Sequence, residues 1–361
     1  MRSPSKASGA VIAVDALAAR FGGTAYAGVQ IVEALARRAD VREVAVVVRP
    51  HSIVERGLRG IPKVRKIVVA NARPELVRRV AWEAARLPAL LARLQADGLL
   101  TLAAMLPRFP HCPVVGLQAN PVPYESGGVG AEVRRRAVAW NASRAHATYV
   151  PSAHVAALVG DLPRVRVVPL GVDRTRFHPT TVPGEELLCV ADFYPHKHHE
   201  LLLEMHRRLP NPRPILRLIG NPDVSPRCFA RISAAAGHDD VVVSGRVPFA
   251  ELVDAYARAR LFVIASDRES FCMPLAEAIV AGVPAVARDH PALRETGGPG
   301  AEYVAGDDPA AWARVVGGLL ADERALATLR AAGREHGRRF SWDAFAERLM
   351  SDLLRSDRVV L

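Results

Sequence analysis

Two doubly wound α/β domains facing each other across a ligand cleft are the architecture this sequence predicts. Three observations carry it. Short apolar runs alternate with helical patterns from end to end, as in a mostly parallel sheet covered on both faces. The alternation pauses at residues 171–184, where Pro179, Pro183 and several polar residues read as a linker. A chain of 361 residues, 50% of them hydrophobic, can also fill two full cores. The expected domains span residues 1–178 and 184–340.

In the first domain, residues 11–15 read as a strand, and Gly22-Gly23 as the turn into a helix from about 25 to 38. Residues 44–48 and 66–69 are further strands. A long basic helix follows at about 74–95, with Arg73, Arg78, Arg79, Arg86 and Arg93 beside it. Leu76, Val80, Leu87, Leu90 and Leu91 are available for an apolar stripe. Such a helix has two readings. It packs its stripe in the core with the arginines solvated, or it lies on an anionic membrane surface. Strands at 99–102, 114–117, 147–150 and 165–168 and a helix near 132–144 complete this half. The second half reads strand 187–190, helix 196–208, strands 215–219 and 241–243, helix 249–258 and strand 261–264. Helices near 309–320, 323–338 and 342–354 close the chain.

The formal net charge is +11, which suits anionic partners or simply an arginine-rich solvated surface. Aromatics are only 6%, with no aromatic–basic interleaving, so no nucleic-acid partner is expected. The four cysteines, Cys112, Cys189, Cys228 and Cys272, are scattered and read as reduced thiols. No apolar run approaches the roughly 18 residues of a spanning helix. The start is short and polar, without the apolar stretch of a signal peptide. A cytoplasmic protein is expected, with membrane contact through helix 74–95 at the inner face as an option.

The segment from Leu261 to Val286 says most about chemistry. An apolar strand runs into a polar loop, and the loop into a helix with Pro274 in its first turn, where a missing N–H costs nothing. The helix stops at Gly282 and Pro284, and a second strand follows. Its N-terminus points free N–H groups at whatever occupies the crevice, where a nucleotide would sit in a sheet with crossover helices. Glu269 and Glu277 bracket the join. As a hydrolytic pair they are badly spaced, because retaining glycosidases hold their carboxyls about 5 Å apart. Eight residues along a helix rise about 12 Å. They suit different parts of one extended ligand.

These residues resemble a known family. Glu269-Ser270-Phe271-Cys272-Met273-Pro274-Leu275-Ala276-Glu277 matches the Glu-x7-Glu signature of retaining GT-B glycosyltransferases of the large fourth family. Val168-Pro169-Leu170-Gly171-Val172-Asp173 with Phe177-His178-Pro179 resembles its hinge phrase. Val190-Ala191-Asp192-Phe193-Tyr194-Pro195-His196-Lys197 resembles its lysine-bearing turn. Phe21-Gly22-Gly23-Thr24 resembles its glycine loop, and Phe340-Ser341-Trp342 the start of its terminal helix. The resemblance covers nearly the whole chain in the right order. It implies two Rossmann-like domains, with the helix at about 341–361 crossing back to the first.

It also implies a hexose-type sugar moved from a nucleoside diphosphate to a small-molecule, lipid-linked or glycan acceptor, with retention. The leaving diphosphate must be stabilised as its charge grows. Lys197 is the candidate counter-charge, and the N–H groups of Met273 to Ala276 a second anion site. Glu269 is expected at the donor-sugar hydroxyls and Glu277 at the ribose hydroxyls, since carboxylates accept paired hydrogen bonds from vicinal diols. Gly22 and Gly23 let backbone approach the ligand closely. Arg268, Ser270, Phe271, Cys272, Met273, Pro274 and Leu275 complete the donor-binding set.

No D-x-D motif lies in a plausible loop; Asp239-Asp240 and Asp307-Asp308 read as solvated pairs. No His/Cys/Asp cluster has metal spacing, so metal-independent transfer is expected. No cofactor is expected beyond the donor co-substrate, with a UDP-sugar favoured over a GDP- or dTDP-sugar. Two departures from the family stand out. Asp192 falls where relatives often carry a phosphate-binding arginine, leaving Arg268, Arg246 or Arg174 to replace it, or Asp192 to act near the sugar. The loop after strand 114–117 carries Gln118, Asn120 and Tyr124, acceptor-side candidates, where relatives often carry a histidine. Gln118 and Asn120 are not general bases at pH 7. That fits front-face transfer, in which the departing phosphate oxygen takes the acceptor proton. A nucleotide-sugar isomerase on the same fold and a non-catalytic polyanion-binding protein are the alternatives.

Overall fold

The computed structural model describes residues 9–19, 22–69, 76–102, 111–120, 124, 127–160, 162–179, 184–237 and 240–354. The chain divides into two compact units. The first holds residues 1–171 and 341–361, the second residues 172–340.

The first unit is built on seven parallel strands: β1 (Ala10–Asp15), β2 (Val41–Val48), β3 (Val64–Val68), β4 (Gly98–Thr101), β5 (Val114–Leu117), β6 (Ala147–Val150) and β7 (Val165–Val167). Their order is β3-β2-β1-β4-β5-β6-β7, so the winding reverses between β1 and β4. The sequence explains who sits where. β1 (AVIAVD) is buried at every residue, as a strand covered on both faces must be. β3 (VRKIV) keeps Arg65 and Lys66 exposed at the sheet edge, where charge blocks pairing with another chain. The helices are α1 (Gly22–Arg37), α2 (Ile53–Gly57), α3 (Leu76–Ala85), α4 (Leu87–Leu94), α5 (Val129–Arg144) and α6 (Ala153–Val159).

The second unit has six parallel strands: β8 (Glu186–Val190), β9 (Leu216–Ile219), β10 (Val241–Ser244), β11 (Ala259–Ile264), β12 (Ala285–Arg288) and β13 (Ala301–Val304). They follow the order β10-β9-β8-β11-β12-β13, with the reversal between β8 and β11. Around them lie α7 (His199–Arg207), α8 (Pro226–Ala236), α9 (Phe249–Arg258), α10 (Met273–Val280), α11 (Pro291–Gly297), α12 (Pro309–Ala321) and α13 (Glu323–Gly337). The last helix, α14 (Trp342–Leu354), clusters with the first unit. Its buried face is Trp342, Phe345, Ala346, Leu349, Met350 and Leu353. The Tyr149 hydroxyl donates to the Asp352 carboxylate at 2.6 Å, and Arg166 pairs with the same group.

Several expectations change. The single helix at 74–95 is two helices, divided at Arg86 with Pro88 in the first turn of α4. Pro88 cannot donate to the turn before it. Arg73 and Pro74 lie outside the described residues. Leu87 and Leu91 belong to the core against β1, β2 and β4, and Leu90 and Trp82 pack on it. The part of the apolar stripe on α4 is therefore interior. Residues 172–178, assigned by sequence to the first domain, lie with the second: Phe177 is buried edge-on against Phe249 (5.8 Å) and Tyr256 (5.3 Å). Asp307 and Asp308 are exposed, and each also has a partner. Asp308 caps α12, accepting from the N–H groups of Ala310 and Ala311. Asp307 pairs with Arg288, and Asp240 accepts from Arg213 at 2.8 Å; Asp239 lies outside the described residues. All four cysteines are buried free thiols.

Candidate functional site

In the second unit, the chemistry-bearing residues gather beyond the C-terminal ends of β8 and β11, where the strand order reverses. That is where open α/β sheets bind ligands. The chain leaving β8 makes one 3-10 turn, Pro195–Lys197, before α7. The chain leaving β11 runs through Ser266 to Cys272 and enters α10. Two bonds hold the segments together. Asp267 N–H donates to the His196 carbonyl at 3.1 Å, and its carboxylate meets His198 Nε2 at 2.9 Å. Ser266 Oγ donates to the Arg268 carbonyl at 3.2 Å, and the Thr296 hydroxyl to the Phe271 carbonyl. The Phe271 ring sits edge-on to Phe340 at 5.3 Å.

Lys197 and Glu269 form the centre. Lys197 Nζ donates to Glu269 Oε1 at 2.6 Å, with the two side chains 15% and 10% exposed. Burial pulls the Lys197 ammonium down, but the adjacent Glu269 carboxylate outweighs it, and the net pKa lies above the ordinary lysine value. Lys197 is thus a fixed positive charge in a nearly dry site. Glu269 is not on a helix with Glu277. It lies in the loop, four residues before α10 begins, so the two carboxyls are set by a loop and a helix rather than by one helical rise.

Glu277 is 6% exposed. The Tyr256 hydroxyl, from α9, reaches both Glu277 Oε2 (2.9 Å) and the Pro274 carbonyl (3.1 Å). Burial pushes the Glu277 carboxyl up to about 8, against the opposing hydrogen bond from Tyr256.

The start of α10 is less open than its sequence suggests. Cys272 holds a left-handed backbone, φ +68°, and its carbonyl accepts from both Leu275 N–H (3.1 Å) and Ala276 N–H (3.2 Å). Pro274 has no N–H. Of the three N–H groups from Met273 to Ala276, only that of Met273 is free of these commitments, together with the positive end of the helix dipole. Cys272, Met273 and Leu275 are buried, Ser270 is half-buried and Arg268 is exposed on the loop.

Asp192 does not stand in for a phosphate-binding arginine. Its Oδ1 accepts from Asn221 N–H at 3.0 Å, tying the end of β9 to that of β8. The approach depends on Gly220, where an added Cβ would lie 2.0 Å from the Ala191 carbonyl oxygen. Of the arginines considered as replacements, Arg246 donates to Asn221 Oδ1 at 2.9 Å. Arg174 donates to the Gly337 carbonyl at 2.7 Å, at the end of α13. Arg268 has the one guanidinium on the Glu269 loop itself.

In the first unit, Gly22 (φ +63°) and Gly23 open α1 and are exposed. Phe21 lies outside the described residues. Gln118, just past β5, is buried, and its amide donates to the Asn120 carbonyl at 2.8 Å. Tyr124 packs against Val150, Val155 and Val159 of β6 and α6. Sequence reasoning missed Tyr256, Asp267, His196, His198, Asn221 and Thr296. Tyr256, Asn221 and Thr296 reach the expected site residues only through tertiary packing, which no local motif reports; His196, His198 and Asp267 flank Lys197 and Arg268 in the chain, and that adjacency could have found them.

Residues 175–336, nearly the whole second unit, match the family model described as "Glycosyl transferases group 1". The chain is similar to a D-inositol 3-phosphate glycosyltransferase of Xylanimonas cellulosilytica, 31% identical over 53% of this chain and 51% of the relative. A protein of the same description from Thermobispora bispora is 32% identical over 52% of this chain and 49% of its own length. The chain thus matches about half the length of these curated relatives. Among solved structures, the sucrose-phosphate synthase of Thermosynechococcus elongatus aligns with a TM-score of 0.76 and 22% identity, over 94% of this chain and 97% of that one. The Anabaena HepE protein, solved in complex with UDP and glucose, aligns with a TM-score of 0.73 and 15% identity, over 95% and 99%. These likenesses show the fold: two parallel-sheet, Rossmann-like domains of the GT-B class expected from the sequence.

Proposed function

We propose that this chain is a glycosyltransferase that moves a hexose-type sugar from a nucleoside diphosphate to a hydroxyl acceptor with retention of anomeric configuration. The observation that carries this is the Lys197–Glu269 ion pair at the strand-order reversal, with buried Glu277 beyond it. The family match over residues 175–336 supports it. Because HepE was solved with UDP and glucose, a UDP-hexose is the first donor to try.

The proposed roles follow from charge and reach. Lys197 meets the diphosphate, helped by the positive end of α10. Glu269, shared with Lys197, accepts from hydroxyls of the sugar, so that sugar and phosphate are positioned by one ion pair. Glu277 accepts from the ribose diol, with Tyr256 fixing its orientation. As the sugar–phosphate bond lengthens, negative charge grows on the oxygen nearest Lys197. That oxygen then takes the acceptor proton, so no protein base is required. Gln118, whose amide is committed to Asn120, fits a role in holding an acceptor rather than in removing its proton. With Lys197 and the helix end answering the phosphate charge, transfer is proposed to be metal-independent.

The test is turnover of UDP-glucose with candidate hydroxyl acceptors in excess chelator, with the product anomer read by NMR. The expected product retains the donor's configuration. Inversion, dependence on added Mg²⁺ or Mn²⁺, or an isomerised free nucleotide-sugar formed without acceptor would each contradict the proposal.

A further inference from the structure

Helix α5 (Val129–Arg144) of the first unit shows solvent an unusual face. Val129 is 83% exposed, Val133 61% and Trp140 55%. At 100° per residue these three fall within about 40° of one another around the axis. Ala131, Val138 and Ala142, which are buried, lie on the opposite side. The helix is therefore apolar on both faces, one in the core and one exposed. Arg136 and Arg144 border the exposed stripe, and Arg134 lies further round. The Arg144 guanidinium lies over the Trp140 ring, 4.6 Å from its centroid. The acidic member, Glu132, is already paired with Arg135 (2.7 Å) and Arg136 (2.9 Å). Four arginines against one glutamate leave the helix clearly cationic.

Soluble proteins seldom leave valine, valine and tryptophan aligned in water without a use. The charge decides what covers them. A second copy of the same face would press arginines against arginines. A surface that accepts an indole and two valines together with the guanidinium groups of Arg136 and Arg144 beside them is an anionic one with an apolar interior. We infer that α5 docks the first unit on an anionic lipid surface, with Trp140 and the valines at the headgroup level and the arginines on lipid phosphates. The proposed surface sits on α5; in the 74–95 segment, Leu87 and Leu91 are in the core.

The experiment is vesicle flotation of the whole chain with phosphatidylcholine vesicles, with and without phosphatidylglycerol. Wild type should float with the anionic vesicles only and be released as salt rises. Trp140→Ala combined with Val133→Ser should weaken binding about ten-fold or more. Arg136→Ala should weaken it about five-fold. Trp140→Phe should retain most of it. These positions are on an exposed face, so circular dichroism should be unchanged in every variant. Failure of wild type to bind anionic vesicles would overturn the inference, as would binding indifferent to these substitutions. A dimer in sedimentation that Trp140→Ala disperses would overturn it too, by making a second copy the occupant.

Discussion

A buried ammonium stays charged only beside a partner, and Lys197 has Glu269. Removing either leaves the other unanswered in a site 10–15% exposed. Breaking a buried pair from one side costs about 3–5 kcal/mol, and the remaining exposure here brings that to about 2–3 kcal/mol. Lys197→Ala should lose that much in urea unfolding, and adding Glu269→Gln should restore part of it. Additive losses would mean that the pair does not exist in solution. Glu277 makes a different prediction. Its carboxyl stands at about 8 in the folded protein against an ordinary 4.5. A raised folded-state value means that its stability contribution is complete below the ordinary value and is lost as pH rises through about 8. The melting temperature of Glu277→Gln minus that of wild type should therefore grow between pH 5 and about 8 and then level. A difference flat with pH would remove Glu277 as the titrating group. Neither effect was legible in the sequence. Glu269 and Glu277 could be picked out by motif, but Tyr256 lies far along the chain and its bond to Glu277 exists only once α9 packs.

At the scale of elements, the alternation of strands and helices was readable because each strand is a short apolar run between polar turns. What failed was local. The apolar period runs across Pro88, so α3 and α4 read as one helix although the proline that divides them was in plain sight. Helices α2, α6 and α11, being short, were not read, nor was the longer α8; yet Ser52 and Ser152 cap α2 and α6 through the N–H groups of Glu55 and Val155. Strand β13 was missed as well. Helix α14 could be recognised by its apolar spacing, but its seating depends on glycines. A Cβ at Gly171 would lie 2.3 Å from the Trp342 backbone nitrogen. Since backbone cannot swing aside as a side chain can, Gly171→Ala should destabilise the first unit by about 3 kcal/mol, read by chemical denaturation. A near-neutral result would mean that α14 is not held against Gly171.

For the whole molecule, the fold class was legible because motifs occur in the right order along two similar α/β units, and the solved relatives share that fold at 15–22% identity. The acceptor was not legible, because the first unit's candidate residues carry no shared chemistry; Gln118 is committed to its own loop and Tyr124 to a small apolar cluster. In the proposed function, the second unit holds a nucleoside diphosphate through Lys197 and Glu277. Calorimetric titration of UDP into the whole chain, with chelator present, tests this most directly. One UDP should bind per chain, with affinity lowered about ten-fold or more by either Lys197→Ala or Glu277→Gln, as loss of a buried hydrogen bond that leaves its partner unanswered requires. No heat with wild type, or both variants binding as wild type does, would contradict it.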